Sequence, residues 1–218
     1  MATLPRVRRT LLRDTAYEVI RDAIVRADIP PGAVVSNAAV AEQLGLSRAP
    51  VRDALARLAD EGLVETKPQS YTRVTPLALK EVRDAAEVVR AMHELAVRAA
   101  VPLLTAAPIE AMREANRRFE AATLAADVDA AMESDDDLHG VLVSVCANGA
   151  VAATIERYTP LIRRLERRQF SSARALSSVR RHDELIAACA AGDVGQAIQV
   201  TGRIWQSLED LAEDPSAH

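Results

Sequence analysis

Arg48 and Arg52 stand four residues apart in the run Leu46-Ser47-Arg48-Ala49-Pro50-Val51-Arg52, a spacing that puts two guanidinium forks on one face of a helix. Such forks grip guanine O6 and N7 bidentately or clamp phosphate, the chemistry of an element laid into a DNA major groove. Two solvated surface arginines would show the same spacing, so neighbouring elements must decide. A second set lies downstream. Asp135 and His139 are also four residues apart, and His182 follows in a later helical segment. A carboxylate and two imidazoles from adjacent helices form a donor set for a divalent transition metal of the zinc or nickel kind. The run Asp135-Asp136-Asp137 reads equally as a solvated acidic face.

The helix carrying the arginines has a defined start. Ser47 occupies the position of an N-cap oxygen, and Pro50 falls in the first turn, where a missing amide costs little. Val51, Leu55 and Leu58 form a separate apolar stripe. Ahead of them, Ser36-Asn37 offers cap oxygens to the segment Ala38 to Leu44, and Gly45 can take the left-handed conformation that stops a helix. This is a helix-turn-helix with Val40, Leu44, Leu46, Val51 and Leu55 as its shared core. Upstream, Leu12 to Ala27 place Ala16, Ile20, Ala23, Ile24 and Ala27 on one face, closed off by Pro30-Pro31-Gly32. Downstream, Leu63-Val64-Glu65 and Thr72-Arg73-Val74-Thr75 read as two short strands around Lys67-Pro68-Gln69-Ser70-Tyr71, a small wing. Arg6 to Arg9 with Arg13 make a basic arm that either follows phosphates or stays solvated.

From Pro76 the texture changes to Ala- and Leu-rich helical segments. Breaks at Pro108, Asn148-Gly149 and Gly192-Asp193 divide it, and no period-2 strand pattern interrupts it. The first segment runs from Leu77 to Thr105. The expected architecture is mainly α. Residues 1–11 form the arm, 12–76 a winged helix-turn-helix, 77–213 an all-α bundle of about six helices, and 214–218 a tail. A 49% hydrophobic, 27% charged composition is that of a globular chain. No apolar run is long enough to span a bilayer and the first residues lack the core of a secretion signal, so the expected location is cytoplasmic, with no membrane partner. Residues 1–75 carry 11 basic against 9 acidic side chains and the remainder 16 against 22, so the acidic bulk falls away from the arginine helix. Cys146 and Cys189 sit among small apolar residues and read as buried thiols rather than a disulfide.

The fixed spacings of Pro31-Gly32, Val40-Ala41-Glu42-Gln43-Leu44-Gly45-Leu46-Ser47-Arg48, Pro50-Val51-Arg52-Asp53-Ala54-Leu55 and Glu61-Gly62-Leu63-Val64 resemble the winged helix-turn-helix of the GntR family of bacterial transcription regulators. The resemblance implies that Arg48 and Arg52 contact DNA, with Ser47, Ala49 and Pro50 at the same interface. It also implies that the wing, here Gln69, Ser70 and Thr72, enters or skirts the minor groove. Two positions depart from the family pattern: Tyr71 stands where glycine is common, and Ala38 where an arginine is frequent.

Arg90-Ala91-Met92-His93-Glu94, Asp135 with Leu138-His139, Ala147-Asn148, His182 and Ala190-Ala191-Gly192-Asp193 are similar in order and spacing to the effector-binding FCD domain of the FadR branch of that family. This implies a metal held by one Asp and three His, to which a carboxylate effector coordinates. Asp135, His139 and His182 match three ligands. The fourth falls on Ile204, beside Trp205, so the remaining set holds a cation more weakly and depends more on bound ligand. His93 is a candidate substitute, or a core histidine by the plainer reading. Arg90 has a fork suited to a carboxylate, unless Glu94 or Glu87 on its own helix engages it. Arg90, Asp135, His139, Asn148 and His182 form the expected effector site.

These readings converge on a homodimeric repressor that binds a double-stranded DNA operator and releases it when a small organic acid, such as a sugar acid, binds the bundle. No placed general base or nucleophile points to an enzyme. A direct metal sensor and a metal-dependent enzyme built on Asp135, His139 and His182 are the alternatives.

Overall fold

The computed structural model describes residues 12–67, 70–76, 78–171 and 175–213; the basic arm, Gln69 and the tail lie outside them. Contacts divide the chain into two compact units, Met1–Leu77 and Ala78–His218.

The first unit contains α1 (Leu12–Val25), α2 (Asn37–Leu44), α3 (Arg48–Asp60), β1 (Val64–Lys67) and β2 (Tyr71–Val74). The strands pair antiparallel, Val64 opposite Val74 and Lys67 opposite Tyr71, and Val34 bridges to Arg73 on the other edge of β2. Ile20, Ile24, Val51, Leu55, Leu58 and Val74 form the core. Helix α1 stops two residues short of the expected Ala27, which adopts a left-handed φ of 63° and so leaves the apolar face. Tyr17 occupies that face instead. Its hydroxyl donates to Glu61 Oε2 at 2.8 Å, and the Arg57 guanidinium lies 3.8 Å from its ring centroid. Burial, reinforced by Glu61, pushes the phenol up to about 12.

Ser36 caps α2 by accepting from the Ala39 amide, and Gly45 ends it at φ 63°, the conformation a side chain resists. Ser47 stands at the N-cap position of α3, but its hydroxyl makes no capping bond, contrary to the sequence expectation. The cap is purely conformational, and the exposed hydroxyl is left facing outward.

The second unit comprises α4 (Leu79–Ala100), a 3-10 turn over Val101–Leu103, α5 (Ala106–Leu124), α6 (Val128–Cys146), α7 (Gly149–Phe170), α8 (Ala175–Ala190) and α9 (Val194–Glu213). Helix α4 ends before the expected Thr105 because Pro102 brings no amide to continue the ladder. Asp127 caps α6 through Ala130, and Asn148 caps α7 through Ala150 and Val151. Ala147, at φ 52°, provides the reversal between α6 and α7. The resulting helical hairpin is laced by Arg163 to Asp136 and Arg167 to Asp129. Leu138, Leu142, Leu185 and Val200 lie in a core cluster of this unit. Both cysteines are unpaired; Cys189 is buried, which raises its thiol to about 11, and Cys146 is half-buried. No described helix is long and apolar enough to cross a membrane.

Candidate functional site

Two surfaces hold the residues singled out by the sequence. In the first unit, Arg48 and Arg52 open onto a concavity of about 560 Å³ shared with Ser36, Asn37, Lys67, Ser70 and Thr72. Helix α3 supplies the guanidinium groups at its N-terminal end, where the helix dipole is positive, and the wing supplies the opposite wall. Arg52 is well exposed, its Nη2 only loosely placed 3.7 Å from Asp53 Oδ1. Ala49 is exposed and Pro50 half-buried beside them. Lys67 and Asn37 were missed by sequence reasoning. Lys67 ends a strand, and only the hairpin register reveals which face it shares with Arg52.

In the second unit, one ligand atom from each of Asp135, His139 and His182 lies within 4.8 Å of the others. Two of these residues come from successive turns of α6 and the third from α8. His182 Nε2 is 3.2 Å from Asp135 Oδ1, and His139 Nε2 is 3.9 Å from the same oxygen. His182 is fully buried and its Nδ1 meets Asn116 Oδ1 at 3.0 Å. The amide of Asn116 is oriented because its Nδ2 donates to Val179 O and Asp183 Oδ1. Its oxygen therefore accepts the Nδ1–H of His182, which turns Nε2 toward the Asp135 carboxylate. That nitrogen and His139 Nδ1 make no hydrogen bond among the described residues.

Electrostatics preserve this donor set. Burial, with His182 alongside, pulls His139 down to about 4, and burial, with His139 alongside, pulls His93 to about 3, so both rings are neutral. Burial alone would raise Asp135, yet His139 and His182 outweigh it and hold the carboxyl below its usual range. Neutral imidazoles and an ionised carboxylate are the forms that ligate a cation. Three donors at zinc bond lengths of about 2.0–2.1 Å in tetrahedral array would stand about 3.3 Å apart; His182 and Asp135 are 3.2 Å apart, while His139 stands 3.9 Å from Asp135 and would draw in on binding. The residues therefore fit a divalent ion. Ile204 lines the small cavity beneath the cluster and offers no donor, and His93 stacks on Trp205 with centroids 4.9 Å apart.

A larger cavity of about 490 Å³ opens beside the cluster and is lined by His93, Asp135, His139, Asn148, Glu166 and Trp205, among others. Arg163 is the neighbour that sequence reading overlooked. It holds both oxygens of Asp136 at 2.6 Å and Glu166 Oε2 at 2.9 Å. Asp136 is thus paired with Arg163 while its side chain stays exposed. Glu166 is buried, which raises it to about 7 despite the arginine. Arg90 does not line this cavity; its Nη1 is 3.9 Å from Glu94 Oε1, the same-helix alternative noted above.

A winged helix-turn-helix followed by a helical unit that holds a buried histidine–aspartate cluster beside a cavity is the architecture of a DNA-binding transcription regulator. The chain belongs to the GntR family of bacterial regulatory proteins, whose profile matches residues 12–74, and it carries an FCD domain over residues 84–207. It is 25% identical to the HTH-type transcriptional repressor RspR of Escherichia coli, over 90% of this chain and 86% of that protein. It is 30% identical to an uncharacterized HTH-type regulator in an unstable DNA locus of Streptomyces ambofaciens, over 96% and 88%. The solved structure of E. coli McbR/YncC shares the fold with a TM-score of 0.81 at 18% identity, covering 94% of this chain and 98% of that one. The two sequence relatives are named as HTH-type transcription regulators, not enzymes.

Proposed function

We propose that this regulator is a homodimeric repressor whose grip on an operator is set by an organic acid bound in the FCD domain, with a divalent cation held by Asp135, His139 and His182. The observation that carries the reading is the convergence of ligand atoms from Asp135, His139 and His182 within 4.8 Å of one another, His182 Nε2 and Asp135 Oδ1 being 3.2 Å apart. When bound, a cation would neutralise that pair and offer open coordination positions to a carboxylate. Asn116 fixes the His182 tautomer, and Trp205 contributes a buried indole N–H that has no partner among the described residues. Arg163 neutralises part of the negative charge from Asp136 and Glu166 that would otherwise repel an anion.

At the other end of the chain Arg48 and Arg52 enter a major groove, with Ser47, Ala49 and Pro50 close to the backbone and Ser70, Thr72 and Lys67 on the wing side. Repression is favoured because RspR is a repressor by name. A second copy is favoured by the stripe Val88, Ala91 and Leu95 on α4, exposed at helical spacing. Sedimentation showing a monomer at concentrations that bind operator would remove the dimer.

The test is a titration of full-length protein with zinc and then with organic acids, following operator binding and the fluorescence of Trp205, the single tryptophan. The reading expects zinc uptake that His182→Ala abolishes, and an acid-dependent loss of operator affinity that requires the metal. Operator release by zinc alone would instead make the protein a metal sensor. Absence of metal uptake in the wild type would sink the cation's role.

A further inference from the structure

The cavity beside the cluster is a trough. Its α6 wall is built by residues a turn apart, Asp136, Gly140, Val143 and Ala147, and the facing α7 wall by Ala152 and Ile155. The reversal at Ala147 lies at one end, where Ala147, Asn148 and Gly149 are exposed, and the Arg163–Asp136 pair ties the helices at the other. Between His139 and Ala147 the helix rises about 12 Å.

Gly140 lies inside α6, where glycine weakens a helix relative to alanine. A Cβ built on it meets nothing within 4 Å, so no neighbour in the chain requires its absence. The space a side chain would fill opens on the trough. Beyond the cluster the walls are chiefly Gly140, Val143, Ala147, Ala152 and Ile155, with Ser144, Thr159 and Asn148 as their polar groups; the Thr159 hydroxyl donates to Ile155 O and the Asn148 oxygen accepts from two α7 amides. A hydrocarbon chain laid along the trough would cover the apolar side chains of Val143, Ala147, Ala152 and Ile155.

We infer that the trough holds the hydrocarbon tail of a medium-chain monocarboxylic acid, its acid group at the Asp135–His139–His182 end and its chain lying against the α6 backbone bared at Gly140. This rests on the cluster being the acid-binding end. An extended chain advances about 1.2 Å per bond, by analogy with the ~3.5 Å spanned by three backbone bonds, so about 12 Å accommodates on the order of ten carbons.

The experiment uses zinc-loaded full-length protein, with acetate, butanoate, hexanoate, octanoate, decanoate, dodecanoate and gluconate as ligands, read by calorimetry and Trp205 fluorescence. Affinity should rise about three- to fourfold per methylene, level off by dodecanoate, and be no better for gluconate than for acetate. Gly140→Leu should erase the dependence on chain length while leaving acetate binding intact. Gly140→Ala, which favours the helix and adds only a methyl group, should weaken octanoate severalfold. Equal affinities for acetate and octanoate, tighter binding of gluconate, or octanoate binding unaffected by both substitutions overturns the tail assignment while the acid-binding end stands. Failure of every acid, with and without zinc, overturns both.

Discussion

A histidine becomes a metal ligand or an inert core ring according to what its second nitrogen does. His182 has that nitrogen fixed by Asn116, a residue from α5 with no sequence pattern linking it to α8. Asn116→Ala should therefore lower metal affinity about 10- to 100-fold, measured by competition with a chromophoric chelator, with operator binding by the metal-free protein unchanged. At the opposite unit, Arg52→Ala should cost about 1–3 kcal/mol of discrimination between operator and mismatched sites. Competition shift assays check this, and an equal loss on all sequences would mean that Arg52 reads only phosphate. Asp135 and His139 were legible in the sequence because a four-residue spacing on one helix fixes their proximity locally. Arg163, Glu166, Asn116 and Trp205 were not, because three other helices bring them in and helical spacing records nothing about the neighbour across the interface. Arg90 marks the limit of transfer by resemblance, since its place on α4 leaves it beside Glu94 and outside the cavity wall.

Elements were legible where caps and breakers are single residues. Gly45 and Asn148 stop and start helices as their chemistry requires, and the wing strands differ from expectation by only one or two residues at their ends. Helix α1 was misread at its C-terminus because alanine rarely takes a left-handed φ, so Ala27 gave no stop signal. The same helix carries Tyr17, whose bond to Glu61 ties α1 to the end of α3. A phenol raised from 10.0 to about 12 keeps its proton in the folded state after the unfolded chain has lost it. The stability it supports is present below pH 10 and lost as pH rises through about 12. Tyr17→Phe should remove this alkaline step in a denaturation series. At neutral pH it should cost about 1–2 kcal/mol, because the buried Glu61 oxygen loses its donor.

At the scale of the whole molecule, two units with separate cores carry the winged helix-turn-helix and the FCD domain. Zinc at a hundredfold excess over its dissociation constant should stabilise the helical unit by about 2.7 kcal/mol. Calorimetry should show one of two transitions moving and the winged unit's transition staying in place; a shift of both would mean that the units unfold together. The division itself was readable from composition, since the texture changes at Pro76. The cavity was not, because a void is a property of what surrounds it rather than of any segment.

The ion pairs that lace α7 to α6 bear on time as well as on structure. With Arg163 on Asp136 and Arg167 on Asp129 at one end and the Ala147 reversal at the other, the hairpin is pinned like a bow at both tips. Any parting of the two helices that admits a guest must stretch these ties. Added salt weakens the half-exposed tie to Asp129 without touching the guest's own contacts. Stopped-flow measurements should accordingly show ligand arriving and leaving faster at high ionic strength, with the ratio of the two rates nearly constant.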